Sequence, residues 1–171
     1  MYKQVFIING SGGCGKDTFV SLVDDISYTM NFSSVDKVKE IARIIGWNGG
    51  KTEKDRKLLS DLKLLCTDYN DMPLNSMKEK FEEFLDRHAN FLFLHIREPE
   101  EIKRAKKIFN AKTILVKRDS VEHITSNMAD ANVFNYNYDI VIDNNKGIEE
   151  LRDKAYYLVK DFKNNQLKNK Y

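Results

Sequence analysis

Gly10-Ser11-Gly12-Gly13-Cys14-Gly15-Lys16-Asp17-Thr18 is the stretch on which the reading of this chain turns. An apolar run, Val5–Ile8, leads into it, and Phe19, Leu22, Val23 and Ile26 follow at helical spacing. Strand, glycine loop and helix in that order give G-x-x-x-x-G-K its meaning. Glycine lets the backbone take positive φ, so that successive N–H groups turn toward anionic oxygens. The helix that follows adds the positive end of its dipole. Lys16 then reaches the β- and γ-phosphates and follows charge as the γ-group moves. The expected nucleotide contacts are Gly10, Ser11, Gly12, Gly13, Cys14, Gly15, Lys16, Asp17 and Thr18, with ATP as the nucleotide.

Asp17 departs from the usual pattern, which has a hydroxyl residue there to hold magnesium. A carboxylate beside a triphosphate is repelled unless a cation lies between them or a basic group turns it away. Asp17 is therefore expected to ligate Mg²⁺, directly or through water. The other reading is an acid in the first turn of a helix, stabilising by about 0.3–1 kcal/mol. Thr18 contacts phosphate or closes the turn. Cys14 would feel Lys16 and a helix N-terminus, which favour the thiolate, or it stands in the loop simply because it is small.

Outward from the loop, strands alternate with helices. Phe91–Ile96, Thr113–Val116 and Asp139–Ile142 join Val5–Ile8 as apolar runs that suit strands buried on both faces, and Asn31–Val35 is a weaker fifth. Val38, Ile41, Ala42 and Ile45 form one helical stripe, ended by Gly46. Leu58, Leu62, Leu65 and Tyr69 form a second, flanked by Leu59 and Cys66, on a helix that Thr52 and Asp55 would cap. Pro73 suits the first turn of a third helix carrying Met77, Phe81, Phe84 and Leu85. Ile102, Ala105, Ile108 and Phe109 mark a fourth stripe, and Ile148, Leu151, Ala155, Leu158 and Phe162 the last. The expectation is one α/β domain over 1–171: a three-layer α/β/α fold with a mostly parallel sheet of about five strands and right-handed crossovers.

Composition narrows the function classes. The chain has 171 residues, about one domain's worth, and Lys+Arg 28 against Asp+Glu 26 leaves +2. A nucleic-acid partner is not expected, for want of a charge surplus and an aromatic-basic patch. The lysines after Phe162 read as a solvated end. No apolar run approaches the roughly 18 residues of a membrane helix, and the first ten residues lack a secretory layout. Two cysteines, Cys14 and Cys66, suit reduced thiols and a cytoplasmic home. His88, His95 and His123 stand apart, so zinc is not expected. A guanine-nucleotide switch would carry N-K-x-D and D-x-x-G, and neither is present.

The loop GSGGCGKDTF resembles that of the small-molecule kinases grouped around nucleoside monophosphate kinases, in which adenylate kinases carry GKGT and phage-type deoxynucleoside monophosphate kinases GKDT. Animal-type phosphomevalonate kinases carry a GKD variant. His95-Ile96-Arg97-Glu98-Pro99-Glu100-Glu101-Ile102 resembles the "D-V-R-F-x-N-E-A-E" stretch of the phage-type enzymes. Tyr138–Asn145 followed by Ile148–Leu151 resembles the closing strand and helix of dephospho-coenzyme A kinases. The resemblance implies an ATP- and Mg²⁺-dependent phosphotransferase with a small-molecule acceptor: a (deoxy)nucleoside monophosphate, or alternatively the ribose hydroxyl of dephospho-coenzyme A. A non-catalytic nucleotide-binding regulatory module is the reading of another class.

Candidates on the acceptor side are few. The acid that many such proteins place at the end of a second strand is absent, and His95 stands there instead. It is a hydrogen-bonded histidine at a strand end or a catalytic base. Arg97 follows at the carboxyl edge of the sheet, where ligands of open α/β sheets collect. By resemblance it would grip a substrate phosphate; otherwise it pairs with Glu98, Glu100 or Glu101. Arg118 is a candidate finger on the γ-phosphoryl or an ordinary surface arginine. It opens a polar stretch, about 117–137, proposed as a short lid that excludes water. The acceptor insertion is expected at about 36–88. There Asp36 orients the acceptor or magnesium, or caps a helix. Lys39, Lys51 and Arg56 are candidates for the acceptor phosphate. Trp47 stacks on a base or packs at a helix end. Asn127, Asp130 and Asn132 form a polar cluster with no assigned role.

Overall fold

A computed structural model describes residues 2–121 and 133–168 of the chain. In chain order the elements are β1 (Gln4–Asn9), α1 (Lys16–Asp24), β2 (Thr29–Ser33), α2 (Asp36–Ile44), α3 (Glu53–Asn70), α4 (Met72–Asp86), β3 (Phe91–His95), α5 (Pro99–Phe109), β4 (Lys112–Lys117), β5 (Ile140–Asp143) and α6 (Ile148–Lys168). The strands form one sheet in the order β2-β3-β1-β4-β5, and every pairing is parallel. The expected three-layer α/β/α arrangement is what the chain adopts. The weak strand begins two residues earlier than its apolar run suggested and occupies an edge.

β1 and β3 are apolar on both faces because each lies between two other strands and under helices from both sides. Phe6, Ile8, Phe91, Phe93, Ile114 and Val116 meet α1 and α6 through Phe19, Val23, Leu151 and Ala155. On the other face Val5, Ile7, Leu92 and Leu94 meet α4 and α5 through Met77, Phe84, Ile102 and Ala105. Burial of such side chains contributes about 1.5–3 kcal/mol each. Local signals set the helix ends. Thr52 and Asp55 make a reciprocal capping box at α3, and Gly46 takes φ 98° after α2.

Helix α3 overturns one expectation. Its stripe of Leu58, Leu62, Leu65 and Tyr69 does not enter the core: Leu65 is 64% exposed and Tyr69 85%. The buried residue of α3 is Lys63, one residue and so about 100° around the helix from Leu62. α3 packs beside α2 and α4 instead of on the sheet, so the direction it turns inward is set by a charge and not by its apolar periodicity.

Candidate active site

Where β1 ends, the chain must turn sharply toward α1, and three glycines make the turn. Gly10, Gly13 and Gly15 have φ 149°, 83° and 98°. Space excludes a side chain at two of them. A Cβ on Gly10 would lie 2.2 Å from the carbonyl oxygen of Val116, and one on Gly15 2.4 Å from Asn144 Nδ2. The first main-chain bond of α1 runs from Phe19 N–H to the Gly15 carbonyl at 2.9 Å. The N–H groups of Lys16, Asp17 and Thr18 precede it and have no acceptor within the helix. Lys16 folds back over the loop, its Nζ donating to the carbonyls of Gly10 at 2.5 Å and Ser11 at 3.1 Å.

Two asparagines brace this loop. Asn9 is fully buried; its Oδ1 accepts from Gly10 N–H at 2.8 Å, and its Nδ2 donates to Tyr138 Oη at 2.8 Å and to the Arg97 carbonyl at 3.1 Å. Tyr138 Oη in turn donates to the Val133 carbonyl at 2.8 Å, and burial pushes its phenol up to about 12. Asn144 lies just past β5. Its Nδ2 donates to the Cys14 carbonyl at 2.9 Å, and its N–H to the Lys117 carbonyl at 2.8 Å. Next to it, Asn145 ties Asp119 to Asp143 through Nδ2, at 2.8 and 3.0 Å. Beside the loop a cavity of about 250 Å³ is lined by Ser11, Cys14, Lys117, Arg118, Asp119, Val121 and Phe134.

His95 closes β3 beside the helix entry. Its Nδ1 lies 3.8 Å from Asp17 Oδ1 and its side chain is 14% exposed. Nε2 is buried with no hydrogen-bond partner. Burial, with lesser contributions from Lys16 and Arg97, lowers its pKa to about 4 against the opposing pull of Asp17 and Asp36. The imidazole is therefore neutral at pH 7. Asp17 itself is 92% exposed.

No protein-family model matches this chain, and no curated protein matches it. Solved structures do. A protein of Chloroflexus aurantiacus assigned provisionally as a kinase matches with TM-score 0.56 and 12% identity over 95% of this chain and 97% of its own. A sugar kinase of Janibacter matches at TM-score 0.54 and 14% identity, covering 94% and 95% of the two chains. The shikimate kinase of Aquifex aeolicus matches at 0.50 and 13%, covering 96% and 99%. The fold is that of the P-loop kinases.

Within the P-loop kinase fold the expected residues fall into three groups. Lys16, Asp17, Asp36 and Arg97 form the first: each lies near enough to His95 for its charge to act there, Asp17 at 3.8 Å. Asp36 does not cap α2: Val35 holds that position, while Asp36 Oδ2 accepts from Ser33 N–H at 2.8 Å and Oδ1 pairs with Lys39 Nζ at 3.3 Å. Arg118 lines the cavity on the opposite side of the loop. Lys51 and Arg56 are exposed, on the bend after α2 and on the first turns of α3. Trp47 packs at the end of α2, with Nε1 donating to the Gly50 carbonyl at 3.2 Å and the Arg43 guanidinium 5.6 Å from its ring centre.

Other outcomes differ from expectation. Glu98 and Glu101 pair with Lys63, a partner the sequence reading did not offer them. Cys14 is buried, and desolvation outweighs Lys16 and raises its pKa, so the thiol is favoured over the thiolate. Asn127, Asp130, Asn132 and most of the candidate lid lie outside the described residues. Asn9 is marked in the sequence only by its position before the first glycine, and Asn144 lies inside the Tyr138–Asn145 stretch without an assigned role.

Magnesium and ATP fit what is present. Among the described residues no three His, Cys, Asp or Glu side chains gather to hold a metal. Magnesium in phosphate sites is held by one or two carboxylates together with phosphate oxygens, and Asp17 offers one exposed carboxylate at the cradle's edge. Among the described residues no helix is long and apolar enough to cross a membrane.

Proposed function

We propose that this protein transfers the γ-phosphoryl group of ATP to a small-molecule acceptor, a (deoxy)nucleoside monophosphate in the first instance. The observation that carries this is the loop itself: positive-φ glycines, two of which (Gly10 and Gly15) are packed too tightly for a side chain, the N-terminal end of α1 opening directly from Gly15, and Lys16 within reach of the same space. Fold likeness to kinases supports the reaction class.

In this reading the main-chain N–H groups bind the β- and γ-phosphates, and Lys16 leaves the Gly10 and Ser11 carbonyls to pair with them. Arg118, which lines the cavity beside the loop, is the finger that would stabilise the γ-phosphoryl. Arg97 orients the acceptor's phosphate, with Lys39, Lys51 and Arg56 as further contacts from the segment 36–88. Asp36 orients the acceptor. An acceptor oxygen attacks the γ-phosphorus, the bond to the β–γ bridging oxygen breaks, and ADP leaves. Asp17 would hold magnesium, which supplies charge neutralisation on the phosphates. His95, neutral and beside Asp17, adds no repelling positive charge against the cation.

The test is ADP release from ATP and Mg²⁺ across the common ribo- and deoxyribonucleoside monophosphates and dephospho-coenzyme A. Release with a monophosphate supports the proposal. Release with dephospho-coenzyme A alone selects hydroxyl phosphorylation. ATP binding with no release for any acceptor replaces the kinase by a nucleotide-binding regulatory module. Lys16→Met should lower kcat/KM by at least a hundredfold.

A further inference from the structure

Helix α3 meets the body of the protein through a charge. Its buried residue is Lys63, whose ammonium lies 2.6 Å from Glu98 Oε2 and 2.7 Å from Glu101 Oε2. Thr67 Oγ1 donates to the Lys63 carbonyl one turn on, at 2.8 Å. Glu98 is the residue before Pro99, and Glu101 lies in the first turn of α5. Both carboxylates therefore belong to the turn that follows β3, and Arg97 is the residue beside them. The opposite side of that turn is held by Asn9, through the Arg97 carbonyl. Asn9 Oδ1 in turn accepts from the N–H of Gly10, so one short path, through the Asn9 side chain and the Lys63 ion pairs, joins the glycine loop, the Arg97 turn and α3.

An apolar contact would hold α3 with little demand on direction, and leucines stand one step around the helix. A buried ammonium between two carboxylates is different: it tolerates few geometries, because leaving the desolvated ammonium unpaired is costly. We propose that Lys63 is a positioning residue, which through Glu98 and Glu101 fixes the turn presenting Arg97 and keeps it in register with the α2–α4 segment. The consequence for acceptor binding rests on the proposed function; the mechanical tie does not.

The experiment compares wild type with Lys63→Met, Lys63→Arg and Glu101→Gln. Hydrogen exchange is followed separately in peptides spanning residues 96–102 and 9–16. Binding of the non-hydrolysable analogue AMP-PNP is measured alongside. Lys63→Met should speed exchange at 96–102 at least tenfold while leaving 9–16 and the AMP-PNP Kd within about twofold. Lys63→Arg should restore most of the protection. Glu101→Gln, which keeps size and a hydrogen bond, should give a smaller acceleration at the same peptide, and it decides the matter if Lys63→Met does not fold. For the monophosphate that wild type phosphorylates, the acceptor KM should rise at least tenfold with kcat within threefold. Unchanged exchange at 96–102, or equal acceleration everywhere, would overturn the proposal, the latter by showing a role in global stability alone. Failure of wild type to bind AMP-PNP would instead overturn the proposed function, and the exchange result would still decide the tie.

Discussion

The side-chain amide of Asn144, beyond the end of the edge strand β5, donates to the main-chain carbonyl of Cys14 at 2.9 Å and so braces the glycine loop. The two residues are 130 positions apart. The same amide group sits where a Cβ on Gly15 would go. Asn144→Ala removes a buried donor and leaves the Cys14 carbonyl without it, at a cost of about 1–3 kcal/mol. The expected result is a lower melting temperature together with roughly tenfold weaker AMP-PNP binding by calorimetry. Unaltered nucleotide affinity would show that the brace stabilises without shaping the cradle.

The glycines should differ in how much they tolerate alanine. At Gly13 nothing lies within 4 Å of an added Cβ, so only the positive φ resists, at about 1–2 kcal/mol. At Gly10 the added atom meets a main-chain oxygen of β4 that cannot move aside. Gly10→Ala should abolish AMP-PNP binding, whereas Gly13→Ala should retain it with reduced affinity. The reverse order would contradict the packing described for this loop.

His95 makes stability depend on pH. Its pKa is about 4 in the folded protein, against an ordinary 6.5. Between those values the unfolded chain binds a proton that the native protein refuses, so stability rises with pH from 4 to 6.5 and is lost as pH falls. The full effect is of order 3 kcal/mol. Glu101 opposes it: burial beside Glu98 raises its carboxyl above the usual range, so its contribution is fullest below 4.5 and declines as pH rises. Denaturant midpoints of wild type and His95→Asn, compared from pH 4 to 7, isolate the first effect. The variant should gain on wild type steadily as pH falls.

Asp17 should govern the magnesium requirement. Asp17→Asn keeps the side chain's size and removes its charge, so half-maximal ADP release should need at least tenfold more Mg²⁺. An identical magnesium titration would leave Asp17 as an acid of the first helical turn and no more.

Strand-loop-helix order, the five apolar runs and the cap at Thr52 were legible because each depends on residues close in sequence. Hydrophobic periodicity misled at α3, where Leu65 and Tyr69 carry the helical repeat yet face solvent. Periodicity reports that a helix has two unlike faces; it does not report which neighbour is present to cover one of them. The site divides the same way. Gly10, Gly15 and Lys16 announce themselves by spacing. Asn9, Asn144 and Lys63 do not, since their partners come from distant segments.

The chain's local order of residues thus determined a glycine loop between a strand and a helix, because glycine dihedrals and helix caps act within a few residues. Tertiary structure alone decided that His95 is neutral, that Cys14 stays a thiol and that Glu98 and Glu101 belong to Lys63. Those outcomes turn on desolvation and on charges brought together across the fold, which are properties of neighbours in space.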